Sequence, residues 1–337
     1  MKVTFVAPNI GITGTFYEIF TDFLSTAARQ LKVELDVVDA TKNRDNLLSR
    51  ARAIASQRPD YMLVANYMSV GQELLAANAA AGVQTFFVVE ALSGGELGSL
   101  ASGTNRTGYL GQIVPDDVEA GKMLAEILAE AARARGLADA AGKLHVGAIA
   151  GEHTQAGNAR FRGLQSVLKQ QREVVQAAFQ YGAWEEAPAK DVAALMLKTA
   201  PQIRILWCAN DAMALGALAA AVEAGRQPGK DILIGGIDLM DRALAEMAAG
   251  RIEVSIGGHV VDGIRALLLL YDHHEKHDLK PESRTTHLVA VRRDQADRYL
   301  RFMKDRAWRN VDFTRFSRVR NPQAPESGPS LEALMGR

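Results

Sequence analysis

The sequence predicts an α/β protein of two lobes, each built on a mostly parallel sheet, and three observations carry this. Residues 203–241 read as one βαβ unit: the apolar run 205–208 stops at Ala209-Asn210-Asp211, an alanine-rich helical run ends near Gly225, and a second apolar strand, 232–237, ends on Asp238. The opening of the chain, a strand at 3–7, a polar loop at 8–15 and a helix from 16, is repeated by a strand at 144–150, a polar loop at 151–158 and a helix containing Arg160, Arg162 and Gly163. Strand after strand also ends on a polar side chain, and in open parallel sheets that carboxyl edge is where small ligands bind.

In order along the chain, Phe16-Tyr17 open the first predicted helix, 16–31. Adjacent helix positions cannot both face a sheet, so one of the two rings is expected to look toward a cleft. A strand at 33–38, a helix at 43–57, a strand at 61–65 and a helix at 71–81 lead to a strand at 85–89, which ends on Glu90. Residues 93–108 shift to Gly, Ser, Thr and Asn without a period and read as loop. A strand at 109–114 follows, and Pro115-Asp116-Asp117 set the entry and the charge of a helix at 118–135. Beyond the repeated opening, a strand at 174–179 leads to Trp184, a large ring in a loop where it needs a surface to cover. A helix at 187–199 precedes the βαβ unit, whose strand ends carry Asn210 and Asp238; each of these also suits a helix N-cap or a turn. Helices at 240–249 and 261–273 flank a strand at 252–257 that ends at Gly258-His259. A polar turn at 274–283, a strand at 287–291 and a basic amphipathic helix at 294–306 close the fold, and 310–337 reads as a tail that wraps the surface or frays.

Composition bounds the function. The 337 residues, 48% hydrophobic, suffice for two domains, and 39 basic against 39 acidic side chains give zero formal charge. Nothing basic points to nucleic acid or an anionic membrane. The one cysteine, Cys208, lies in an apolar strand and has no partner for an intramolecular disulfide, which fits a cytosolic protein or a periplasmic one stabilised by its core. No apolar run reaches the roughly 18 residues that cross a bilayer. Because the first residues read as a strand, the expectation is either a cytosolic protein or a mature chain with an added Met.

On these elements the chain resembles the type I periplasmic sugar-binding proteins, which share a clamshell of two Rossmann-like lobes with the ligand domain of the lactose-repressor family. The resemblance covers about residues 3–300 and rests on NDAMALGAL at 210–218, IGGID at 234–238 and RFRG at 160–163. It implies three hinge crossings, near Val114-Pro115, Gly258-His259 and Thr285-Leu288. The implied division is an N-terminal lobe of residues 1–114 plus 259–287, a C-terminal lobe of 115–258 plus 288–309, and a tail of 310–337. No helix-turn-helix precedes Val3, so a DNA-binding part is not expected.

The resemblance further implies ring stacking by Phe16 or Tyr17 and by Trp184, with Asn210 and Asp238 hydrogen-bonding ligand hydroxyls. A sugar has apolar faces and a polar rim, which aromatic walls and carboxylate or amide edges match. Glu90-Ala91 stands where ribose binders have an Asp-Arg pair, Asn158 where they have an arginine, and Gly258, with His259 beside it, where they have a glutamine. With two cationic forks lost, a simple furanose is not the expected ligand and an anion still less so, which leaves a neutral sugar or polyol. Glu90 would accept from hydroxyls, pair with a ligand ammonium, or cap the following loop; Arg160 would brace the loop and not touch the ligand. The implied ligand set is therefore Phe16, Tyr17, Glu90, Asn158, Trp184, Asn210, Asp238 and His259, with no catalytic residue, metal or cofactor. The implied role is delivery of the ligand to a membrane ABC permease by a periplasmic monomer, without membrane insertion. Presentation to a sensor kinase or chemoreceptor is the alternative, and a sugar-modifying or nicotinamide-dependent enzyme the alternative of another class. Against an enzyme, His273, His274 and His277 have no cysteine or carboxylate at metal spacing, and Ser102, Asp238 and His259 lack a GxSxG elbow.

Overall fold

The computed structural model describes residues 1–10, 14–102 and 108–336, the side chains of 100–102 excepted. Part of the first polar loop (11–13), part of the predicted loop 93–108 (103–107) and the Ser102 side chain thus lie outside the described residues.

The chain runs β1 (Lys2–Ala7), α1 (Phe16–Leu31), β2 (Glu34–Asp39), α2 (Arg44–Ser56), β3 (Tyr61–Val64), α3 (Gly71–Ala81), β4 (Gln84–Val88), α4 (Gly94–Ser102) and β5 (Tyr109–Pro115). It continues with α5 (Asp117–Ala134), β6 (Leu144–Ala150), α6 (Gln155–Gln170), β7 (Val174–Tyr181), α7 (Glu186–Thr199), β8 (Ile205–Cys208), α8 (Asp211–Glu223), β9 (Leu233–Ile237), α9 (Asp241–Ala248) and β10 (Val254–Gly257). Last come α10 (Asp262–His274), β11 (Glu282–Thr286), β12 (Val289–Arg292), α11 (Arg293–Lys304) and α12 (Leu331–Leu334). Two compact α/β units result. The first holds Met1–Pro115, His259–His287 and Trp308–Arg337, and the second holds Asp116–Gly258 and Leu288–Ala307.

The sheet of the first unit has the order β11-β5-β4-β3-β1-β2, with every pair parallel. Next to the edge strand β2, Phe5 of β1 pairs with Val37 on one side and Leu63 on the other. α1 shows why these residues fold locally: Thr15 caps its N-terminus by accepting from the Glu18 N–H, and Lys32, at φ 57°, closes it by donating to the Ala28 and Arg29 carbonyls. Between these caps Phe20, Phe23, Leu24, Ala27 and Leu31 are buried at helical spacing, each large apolar side chain stabilising the unit by roughly 1.5–3 kcal/mol.

The second unit repeats the plan in the order β12-β10-β9-β8-β6-β7, where only β12 runs antiparallel to its neighbour. The glycine of the RFRG run has a packing cause. A Cβ at Gly163 would stand 2.2 Å from the Val118 carbonyl oxygen, so α5 and α6 meet backbone to backbone there.

Four departures from the sequence reading have physical causes. Part of the stretch read as loop is α4, nucleated by a reciprocal cap: the Ser93 N–H donates to Glu96 Oε2 at 2.7 Å and the Glu96 N–H to Ser93 Oγ at 3.2 Å. α6 begins at Gln155, because Thr154 caps it by accepting from the Gly157 N–H, so the loop after β6 is shorter than expected. β11 spans the end of the stretch read as a polar turn and stops before the predicted strand at 287–291, and as a mostly exposed strand at the sheet edge it carries no apolar run. Residues 310–337 belong to the first unit: beside them Trp308 stacks on Phe23 at 4.1 Å, Phe313 is fully buried, and the Asp272 carboxylate accepts from the Ser317 hydroxyl and the Arg318 N–H.

Candidate functional site

In the second unit, three residues singled out in the sequence converge around one arginine. Trp184 follows β7 with φ 64°, after Ala183 at φ 55°. This left-handed pair turns the chain so that the half-buried indole lies against the backbone at the end of β6, where a Cβ on Gly151 would stand 2.1 Å from the ring. Only glycine at 151 lets the ring lie there. Asn210 caps α8: its Oδ1 accepts from the Met213 N–H at 2.9 Å, and its Nδ2 donates to the Trp184 carbonyl at 3.2 Å. The cap and the candidate ligand group are thus the same side chain, with one amide N–H left over for another acceptor. Asp238, 6% exposed, ends β9 and donates its own N–H to the Ile256 carbonyl at 2.7 Å.

Arg160 joins these groups. Its Nε donates to Asp117 Oδ1 at 2.7 Å and its Nη1 to the Ala209 carbonyl at 2.7 Å, while Asp238 Oδ1 lies 3.6 Å from the same Nη1. The guanidinium carbon sits 5.4 Å from the centre of the Trp184 ring, within cation–π range. Burial opposes the charge on Arg160, but Asp117 and then Asp238 outweigh it and hold the guanidinium above its ordinary pKa. The side chain therefore reaches the ends of β8 and β9, the start of α5 and the tryptophan loop. The expectation that Arg160 braces a loop understates this, since the Asp117 contact is 43 residues distant and has no local signal beyond an acid at a helix start. Asn158 is not brought into this set; it is exposed on the first turn of α6.

In the first unit, His259 begins a 3-10 turn leading into α10 and is 1% exposed. Phe16 stacks on its imidazole, with ring centres 4.7 Å apart and planes at 20°. Tyr17 meets Phe16 edge-on at 5.5 Å and 74°, and both rings are half-buried. Phe16, Tyr17 and His259 thus form one aromatic group. Glu90, 7% exposed, follows β4 after Val89 at φ 68°, and its carbonyl accepts from the Asn66 N–H at 3.3 Å. Asn66 also donates to the Ala91 carbonyl at 2.7 Å and Glu96 Oε2 at 3.1 Å, which ties the turn bearing Glu90 to the start of α4.

Among the described residues no three His, Cys, Asp or Glu side chains are grouped to hold a metal ion. Carboxylate, amide and guanidinium around an indole face can together hydrogen-bond a polar rim and cover an apolar ring.

Known proteins share both the sequence and the fold. Over 118 residues the chain is 32% identical to the D-allose-binding periplasmic protein of Escherichia coli (strain K12), an alignment that spans 35% of this chain and only 37% of that protein. The crystal structure of a periplasmic sugar-binding protein from Pseudomonas fluorescens superposes with a TM-score of 0.87 at 29% identity, covering 100% of this chain and 99% of that one. The binding protein of the arabinose ABC transporter from Shewanella sp. ANA-3, bound to arabinofuranose, has the same fold, with a TM-score of 0.78 at 21% identity over 91% of this chain and 97% of that one. The family described as periplasmic binding protein domain matches residues 3–268, and the chain belongs to that family.

Proposed function

We propose that this protein is a non-catalytic, periplasmic solute-binding protein that captures a neutral sugar or polyol for delivery to a membrane ABC permease. The observation that carries the reading is the Trp184, Asn210 and Asp238 group around Arg160 at the carboxyl edge of β6, β8 and β9. An indole face suits the C–H surface of a pyranose, furanose or cyclitol, and a carboxylate held by an arginine accepts strongly from its hydroxyls. With Arg160 already engaged by Asp117 and Asp238, no free cationic fork faces an anionic ligand from this group. Phe16, Tyr17, Glu90 and His259 are proposed as the contacts from the first unit, and Asn158, being exposed, as a further contact of the second. The names of the relatives support a sugar: D-allose for the Escherichia coli protein and a sugar for the Pseudomonas fluorescens structure.

Isothermal titration of D-allose, L-arabinose and myo-inositol, beside mass spectrometry of the native protein for a copurified molecule, tests this. At least one sugar or polyol is expected to bind, and Trp184→Ala should weaken it by about 2 kcal/mol or more, as for a buried aromatic anchor. Unchanged affinity in that variant, with the fold intact, would remove Trp184 from the site.

A further inference from the structure

Asp238 is held in place through a turn that ordinary residues avoid. φ is 131° at Asp238 and 62° at Leu239, two consecutive side-chain-bearing residues in the left-handed half of backbone space. Such conformations persist only where the surroundings over-determine them. Here the surroundings are two polar side chains from other elements. The Leu239 N–H donates to Ser255 Oγ at 3.2 Å, and the Ser255 hydroxyl donates to the Asp211 carboxylate, whose oxygens lie 2.8 and 2.9 Å away. The Met240 N–H donates directly to Asp211 Oδ2 at 2.8 Å.

Asp211, Ser255 and Leu239 are all fully buried, so water does not compete for these bonds. The carboxylate is seated on the backbone of β9: a Cβ on Gly236 would stand 2.3 Å from Asp211 Oδ1, and only a glycine leaves it room. A buried carboxylate is costly without donors. Two of the donors that reach this one, the Met240 N–H and the Ser255 hydroxyl that itself receives Leu239, lead to the same three-residue turn. A side chain needed only to fill the interior between α8 and β10 would be apolar.

We propose that Asp211 and Ser255 are positioning residues for ligand binding: without touching the ligand, they hold the turn at residues 238–240, with Asp238 and Leu239 at positive φ, and so fix where the Asp238 carboxylate is presented. The proposal rests on the reading of Asp238 as a ligand contact, and it extends the recognition set to two residues beneath the surface.

A double-mutant cycle on the full chain separates the two. Ser255→Ala removes the hydroxyl with little change in volume, and Asp238→Asn removes the proposed contact charge. Affinity for D-allose, L-arabinose and myo-inositol is measured by calorimetry for the parent, S255A, D238N and the double variant, together with amide hydrogen exchange of residues 238–240 without sugar. The expected result is a rise of about tenfold in Kd for S255A, as for the loss of one buried hydrogen bond. Faster exchange at Leu239 and Met240 should accompany it. In the D238N background, S255A should add nothing, because its effect passes through Asp238. Equal losses in both backgrounds would mean a general stabilising role and would overturn the proposal, as would unchanged exchange at Leu239 in S255A. Parent-like Kd in S255A beside a loss in D238N would overturn it while leaving Asp238 as a contact. Parent-like Kd in D238N would remove the contact itself, and the positioning role with it. If S255A does not fold, Ser255→Cys, which is somewhat larger and keeps a weaker donor, is expected to show the same non-additivity with a smaller loss.

Discussion

Replacing Arg160 with methionine is the sharpest test of how the second unit is held together. The substitution keeps a long, flexible apolar stem and removes the charge. It leaves Asp117 and Asp238, whose side chains are 9% and 6% exposed, without the guanidinium that lies 2.7 Å from one and 3.6 Å from the other. It also strips the Ala209 carbonyl of its 2.7 Å donor. Removing one partner of a buried ion pair costs about 3–5 kcal/mol, because the remaining charge is desolvated and uncompensated. For a unit of this size each kcal/mol lowers the melting temperature by about 2–4 °C, so a fall of roughly 10 °C is expected in calorimetry at pH 7. One control makes the reasoning specific. Adding Asp117→Asn to Arg160→Met should return part of the loss, since one of the stranded charges is gone. A melting temperature within about 2 °C of the parent, or a double variant worse than R160M alone, would refute the argument that Arg160 is the electrostatic centre of this unit.

Gly151→Ala should displace the Trp184 indole, which leaves no room for a Cβ, so tryptophan emission should shift and sugar affinity fall about as far as in W184A; unchanged emission and affinity would refute the packing argument. Asp211 is pushed up to about 7, first by burial and then by Asp238, so the folded protein keeps a proton there that the unfolded chain releases near pH 4. The parent should therefore lose stability relative to Asp211→Asn as pH rises from about 4 to about 7, by up to about 1.4 kcal/mol per pH unit, and a gap in urea melts that moves the other way would refute it. Burial, followed by the nearby Asp211, pushes the Cys208 thiol up, so a thiol reagent at pH 8 should label it only after denaturant is added; labelling of the native protein would contradict its place in β8.

What the sequence revealed and what it hid follow from where each signal is stored. The alternation of strands and helices is legible because it is local: Ile205–Cys208 is an unbroken buried run, and Leu144–Ala150 nearly so, while α1 buries one face at helical spacing. α4 was hidden by composition, since its glycines outweighed a Ser93-x-x-Glu96 pattern that is itself a helix-start signal. β11 was hidden because a charged, exposed edge strand has no apolar run to display. The final segment escaped because its anchors, Trp308 and Phe313, are too few and too irregularly spaced to show a period.

The site divides along the same line. Trp184, Asn210 and Asp238 stand out because each ends a strand, and the position of a strand end can be read locally. The groups that hold them cannot. Asp117 lies 43 residues from the arginine it binds, and Ser255 lies 44 from Asp211. Asp211 was further masked by its neighbour: beside Asn210 at a helix start, an acid reads as a partner of the helix dipole, and nothing local tells that its carboxylate turns instead to the backbone of Met240. Asn158 shows the converse. It was picked out by its place two residues before Arg160, where the resembled family has an arginine, and the threonine cap at 154, which starts α6 at Gln155, sets Asn158 on an exposed helical turn. The residues proposed to meet a ligand sit where the chain changes direction and are found by their place in the pattern. Residues that hold them sit inside regular elements, where a polar side chain looks like any other cap until the partner across the sheet is known.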